Sequence, residues 1–289
     1  MDRAKTVALL TAVALLACSC SRPRRIVVGS KNFTEQVLLG EILALQIERR
    51  LNVAVERRLN LGGTLLAHQA LVAGSIDLYP EYTGTALTAV LKRPPSADAA
   101  AVRRTVADDY ARRWRLVWLP PLGFDNTFAM IVRGETARTQ HLATLSDAAR
   151  AHPWRIGAGY EFKQRPDGLD GLLRTYGLRT AGDPVTMDLG LLYQALLAAK
   201  VDLVAANSTD GLISALDVGV LADDKHYFPP YECAVVVRQP ALDRFPALRD
   251  ALGKISGTIT DREMRRLNYQ VDGLHRSAAE VAKEFLRGR

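Results

Sequence analysis

From Arg25 onward, short apolar runs alternate with longer stretches in which apolar residues recur every three or four positions. Arg25–Gly29 reads as a strand, and a helix follows from about Thr34, with apolar positions at Val37, Leu38, Ile42 and Leu45. Asn32 and Glu35 are spaced as a capping box for that helix. Val53–Arg58 reads as a second strand, Gly62-Gly63-Thr64 as the opening of a second helix with Thr64 as its N-cap, and Ile76–Tyr79 as a third strand. This βαβαβ order predicts a parallel, doubly wound sheet, because parallel neighbours need a crossover, which a helix supplies.

The same grammar returns between about Thr127 and Lys225. Phe128–Val132, Arg155–Gly159, Val201–Ala205 and Val218–Leu221 read as strands, with helices near Leu145–Arg150, Gly168–Tyr176 and Leu189–Ala199. The last fifty residues are helical in pattern, with capping-box spacings at Thr260-x-x-Glu263 and Ser277-x-x-Glu280. Two segments echo each other: Gln69–Leu78 aligns without gaps on Gln194–Leu203, identical at six of ten positions. Any amphipathic helix leading into a strand produces part of that likeness. Descent of two similar lobes from one unit produces all of it, and sets Tyr82 and Asn207 at matching places.

The first twenty residues differ in kind. Arg3 and Lys5 precede an apolar run from Val7 to Ala17, too short to span a bilayer, which is the pattern of a secretory signal peptide. Leu15-Leu16-Ala17-Cys18 matches a bacterial lipobox, so residues 1–20 are read as a signal peptide with Cys18 lipidated; Cys20 is the weaker candidate, and an ordinary cleaved signal the plainer alternative. On either reading the protein is exported, to the periplasm or the outer face of the cytoplasmic membrane. Its 289 residues suit two lobes, and 48% hydrophobic with 24% charged residues is ordinary for a globular chain. The net charge of +7 does not point to nucleic acid, because the basic residues are dispersed along helix-like faces and export removes that partner. Cys233 is the only cysteine in the body, which excludes a disulfide framework there.

The densest chemistry lies in Ile76-Asp-Leu-Tyr-Pro-Glu-Tyr-Thr-Gly-Thr85. Tyr82 offers a π-face to a cation, Thr83 and Thr85 offer hydroxyls, and Gly84 allows close backbone approach to a ligand. That mixture suits a small zwitterion with a methylated ammonium head. Enzyme chemistry finds no foothold: five scattered histidines lack metal-ligand spacing, and there is no nucleophile elbow or phosphate-binding glycine fingerprint. The expectation is a binding protein rather than an enzyme, with no catalytic residue, no metal and no cofactor. A DNA-reading regulator is excluded too, since no helix-turn-helix fits before the first strand.

Seven blocks, in order, resemble the substrate-binding proteins of ABC-type importers for glycine betaine, choline, carnitine and related osmoprotectants. They are Gly29-Ser-Lys-Asn-Phe-Thr-Glu35, Gly62-Gly-Thr64, Ile76–Thr85, Gly123-Phe-Asp-Asn-Thr-Phe128, Arg165-Pro-Asp-Gly168, Ser208-Thr-Asp-Gly211 and Asp223-Asp-Lys-His-Tyr-Phe-Pro-Pro-Tyr231, and the resemblance covers about residues 25–285. It implies an α/β, two-lobe periplasmic-binding-protein-like fold of type II. Each lobe is then a doubly wound, mainly parallel sheet, with ligand in the cleft between. Lobe one would be 25–125 and 232–289, lobe two 126–231, with Pro229-Pro230 as a stiff hinge strand.

The resemblance also implies the site. Tyr82 and Tyr231 match aromatic cage positions, Phe128 stands where a tyrosine is common, and Asn207 stands where a further aromatic is expected. A quaternary ammonium has no N–H to bond, so it is held by π-faces. Lys31, Thr85 and Arg165 match positions that hold the ligand's anion, Arg165 through a bidentate fork, with a local ion pair to Asp167 or Asp170 as the plainer alternative. With one wall missing at Asn207, the alternative ligand is a different small zwitterion such as an amino acid. Tyr79, Tyr160 and Tyr193 are the residues that could fill the gap. The implied partners are a small quaternary ammonium or zwitterion and an ABC permease on a separate chain. The protein itself is expected to be a monomer.

Overall fold

The computed structural model describes residues 25–288, so the signal segment and Cys18 lie outside the described residues. Ten strands are described: β1 (Arg25–Gly29), β2 (Ala54–Arg58), β3 (Leu78–Tyr82), β4 (Leu116–Asp125), β5 (Phe128–Arg133), β6 (Ile156–Ala158), β7 (Val185–Thr186), β8 (Leu203–Asn207), β9 (Val218–Leu221) and β10 (Glu232–Arg238). They form two five-stranded sheets, ordered β2-β1-β3-β10-β4 and β7-β6-β8-β5-β9. β1 pairs in parallel with β2 and β3, whereas β10 is antiparallel to both its neighbours. In the second sheet β6 pairs in parallel with β7 and β8, and β5 is antiparallel to both its neighbours. Four strands of each sheet therefore share one direction, and the strand that arrives from the other sheet opposes them. This is the expected α/β fold with mainly parallel sheets.

The central strands are covered on both faces, which explains their continuous apolar character. In the first sheet Ile26, Val28, Val235 and Val237 pack with Leu38, Leu39, Ile42 and Leu43 of the Thr34–Leu51 helix. The opposite face, with Tyr79 and Val236, meets Val102, Val106 and Tyr110 of the Ala99–Trp114 helix. On β8 the alternation is complete: Leu203 and Ala205 belong to one cluster, Val204 and Ala206 to the other. Among the described residues no helix is long and apolar enough to cross a membrane.

The internal echo has a structural counterpart. The Thr64–Val72 helix and β3 match the Leu189–Leu191 and Leu192–Leu197 helical turns and β8 at a constant offset of 125 residues. Tyr82 and Asn207 each end the middle strand of their sheet.

Local expectations need correction at several points. β3 and β8 each begin two residues later than their apolar onset. Asp77 instead accepts the Val27 N–H and pairs with Arg244, while Asp202 pairs with Arg133 and Arg155. Phe33, not Asn32, is the N-cap of the first helix, without a side-chain cap bond, and Glu35 turns inward. Gly63 is the N-cap of the second helix, so Thr64 is already helical. Thr260 and Ser277 do cap their helices, but Glu263 reaches forward to Arg266 rather than back. β4 went unread in sequence because Pro120-Pro121 argues against a strand; it lies at the sheet edge, where missing donors cost little.

Candidate functional site

The chain leaves the first sheet at Asp125, enters the second at Phe128, and returns from β9 through Pro229-Pro230-Tyr231 to β10. The two passages are tied side by side: Tyr231 N–H donates to Asp125 Oδ2 at 2.7 Å, and Asn126 N–H to the Tyr231 carbonyl at 3.2 Å. Burial holds the Asp125 carboxyl up to about 6, although the Tyr231 N–H works against that. Gly84 belongs to this junction rather than to a ligand surface. A Cβ there would lie 2.6 Å from the Pro230 carbonyl oxygen and 2.7 Å from the Tyr231 ring.

Between the sheets lies a cavity of about 970 Å³. All seven candidate residues line it: Lys31, Tyr82, Thr85, Phe128, Arg165, Asn207 and Tyr231. Tyr82 comes from the first sheet, Phe128 and its cross-strand partner Asn207 from the second, and Tyr231 from the return passage. Tyr160 and Tyr193 also line the cavity, whereas Tyr79 is fully buried and bonded to Glu81.

The two cations do not stand free. Lys31 donates to Glu81 at 2.5 Å, a pair in which both side chains are buried. The Arg165 fork is already occupied: Nε and Nη2 donate to the two oxygens of Asp167 at 2.9 and 2.5 Å. Its Nη1 crosses the cleft to Thr85 Oγ1 at 3.0 Å. This is the local ion pair with Asp167 that stood as the alternative to a fork held for a ligand carboxylate. Although burial opposes it, Arg165 holds the Asp167 carboxyl below the usual range, and Asp167 in turn accepts from the Tyr231 hydroxyl. Each ring of the aromatic set faces a protein cation, with Lys31 Nζ 5.0 Å from Tyr82 and the Arg165 guanidinium 5.1 Å from Phe128 and 5.6 Å from Tyr231.

Sequence reasoning missed the hub of the site. Glu35, read as a capping residue, is 3% exposed and accepts four hydrogen bonds. They come from the Tyr82 hydroxyl (2.6 Å), Asn126 Nδ2 (2.8 Å), Thr209 Oγ1 (2.6 Å) and Asn268 Nδ2 (3.1 Å). These donors belong to the first sheet, the first passage, the turn after β8 and the Asp261–Asp272 helix, so one carboxylate ties both sides of the cleft. Burial raises its pKa, with the four donors opposing that shift. No basic side chain lies within ion-pair distance of it among the described residues. At the cavity wall, Glu161 accepts from Thr64 N–H at 2.5 Å and Thr64 Oγ1 at 3.0 Å, a further link across the cleft. The only sequence hint of these roles was their place inside or beside the resemblance blocks.

Two sheets of this topology, joined by paired passages beside a cavity lined from both, define a two-lobed solute-binding protein. The chain belongs to the family of substrate-binding domains of ABC-type glycine betaine transport systems, whose sequence model matches residues 24–288. It is 35% identical to a glycine-betaine-binding protein of Pseudomonas aeruginosa over a 300-residue alignment covering 99% of this chain and 95% of the other. It is 34% identical over 282 residues to the ergothioneine transport permease/ergothioneine binding protein of Helicobacter pylori, covering 96% of this chain but only 50% of that longer one. Among solved structures, a glycine betaine/carnitine/choline ABC transporter superposes with a TM-score of 0.77 at 34% identity, covering 91% of this chain and 98% of that one.

Proposed function

We propose that this protein captures a quaternary-ammonium osmoprotectant outside the cytoplasmic membrane and delivers it to the permease of an ABC importer. Residues 25–125 with 232–289 form one jaw and residues 126–231 the other, and the ligand stabilises their closed arrangement. The observation that carries this reading is that Tyr82, Phe128 and Tyr231, from both sheets and the passage between them, converge on one cavity. The ammonium lies against these rings on faces left open by Lys31 and Arg165, each desolvated contact contributing roughly 1–2 kcal/mol. Lys31, Thr85 and Arg165 surround the other end of the ligand, with Asn207 beside it. The role is binding without catalysis. The protein acts as a monomer, tethered through a lipid on Cys18. Its permease is a separate chain.

Calorimetric titration of the mature protein with glycine betaine, choline and carnitine, beside a Tyr82→Ala variant, tests the proposal. Tight binding of at least one, weakened about tenfold or more in Tyr82→Ala, is the expected outcome. Heat from amino acids alone would move the ligand to the other zwitterion class.

A further inference from the structure

At the end of β8, where the cage lacks an aromatic wall, the turn 207–210 presents polar groups instead. Asn207 lines the cavity, and its side-chain amide makes no hydrogen bond among the described residues. Asp210 lines the same cavity and is held in place on one oxygen only. Oδ2 accepts both the Asn207 N–H and the Tyr193 hydroxyl at 3.1 Å, and among the described residues Oδ1 accepts nothing. Among the described residues no basic side chain pairs with Asp210, and Lys31 and Arg165 are already matched by Glu81 and Asp167. The missing wall has thus been replaced by an acceptor oxygen and a free amide. A cavity of about 970 Å³ also sits at the upper end of small-molecule sites, more room than a molecule as small as glycine betaine fills.

Resting on the reading of this cleft as a quaternary-ammonium site, we propose that the Asn207–Asp210 turn is a hydrogen-bonding subsite. The ligand it selects is a quaternary ammonium that carries an O–H or ring N–H donor. Glycine betaine has neither, so it would leave Asp210 Oδ1 desolvated without a partner, which is the arrangement that discriminates most strongly against an analogue lacking the group. Choline and carnitine bring a hydroxyl, and ergothioneine a ring N–H.

The test is a titration series at about pH 8, where Asp210, held up to about 7 by burial, is mostly ionised. Wild type, Asp210→Asn and Asn207→Tyr are each titrated with glycine betaine, choline, carnitine and ergothioneine. Asn at 210 keeps an oxygen for Tyr193 and for the Asn207 N–H, so thermal melts should show both variants folded. At least one donor-bearing ligand is expected to bind wild type about tenfold or more tighter than glycine betaine. Asp210→Asn should shrink that preference to within about threefold, and Asn207→Tyr should shift it toward glycine betaine by restoring a π-face. Glycine betaine binding as tightly as every donor-bearing ligand, or a preference unchanged in both variants, overturns the subsite while leaving the transport reading intact. Failure of all four to bind wild type overturns the quaternary-ammonium reading itself, and the subsite with it.

Discussion

Thr85→Val separates two roles that Thr85 can play in this cleft: holding the ligand's anion, or holding the cleft shut. Thr85 is 3% exposed, and its Oγ1 accepts from Arg165 Nη1 at 3.0 Å across the cavity. Valine keeps the shape and removes the acceptor. A hydrogen bond to a charged group contributes roughly 1.5–3 kcal/mol. Asp167 keeps Arg165 charged and oriented in the variant, so the lower part of that range applies, about 1.5–2 kcal/mol. If capture requires closure, this loss appears as affinity, roughly ten- to thirtyfold.

Calorimetry with choline and carnitine reads the difference, because choline has no carboxylate. A closure role predicts the same factor for both ligands, with stability of the ligand-free protein changed far less. Weakening of carnitine alone would assign Thr85 to the ligand's anion and refute the closure argument. A change under about twofold for both would show that the Arg165–Thr85 bond contributes nothing to closing.

Glu35→Gln is expected to lower unfolding stability by about 2–4 kcal/mol in denaturant titrations, because glutamine offers one acceptor oxygen to donors that now occupy both carboxylate oxygens; an unchanged midpoint would contradict the hub. The pH dependence of stability follows from Asp210, held by burial at about 7, and Asp125, at about 6, against an ordinary 3.8. Each binds its proton more tightly folded than unfolded, so the stability it confers is complete below about pH 4 and is lost as pH rises through about 6 to 7. Asp202, which Arg155 holds down to about 2 despite burial, titrates below this window. Melting temperature should therefore fall between about pH 4 and 7, and Asp210→Asn should flatten that fall; an equal slope in the variant would contradict the assignment.

Much of the architecture was legible because parallel strands buried on both faces leave apolar runs that helices separate. The errors have a common physical source. At Ile76 and Val201 the apolar onset marks core residues that precede the ladder, each followed by an aspartate clamped by arginines, so both strands were placed two residues early. β4 was hidden by its prolines, which only its edge position permits. At the site, residue types pointed to aromatic faces and cations, and those residues do gather on one cavity. The local Arg165–Asp167 pair was open to sequence reading, but the Lys31–Glu81 pair was not, since it forms only when the strands are in place.

Glu35 suggests why a ligand should favour closure. Its carboxylate is buried, saturated with neutral donors and paired with no cation among the described residues. Hydrogen bonds offset part of the cost of burying a charge, but the absence of a counter-charge leaves the remainder, which is why its pKa rises. On the proposed hinge motion, opening would take Thr209 away from the hub and let water reach the carboxylate. A ligand cation against the Tyr82 ring, whose hydroxyl Glu35 holds, would add positive charge to that of Lys31 only with the jaws shut. The ligand then binds the closed state better than the open one, and that difference is the only free energy by which it can shift the equilibrium.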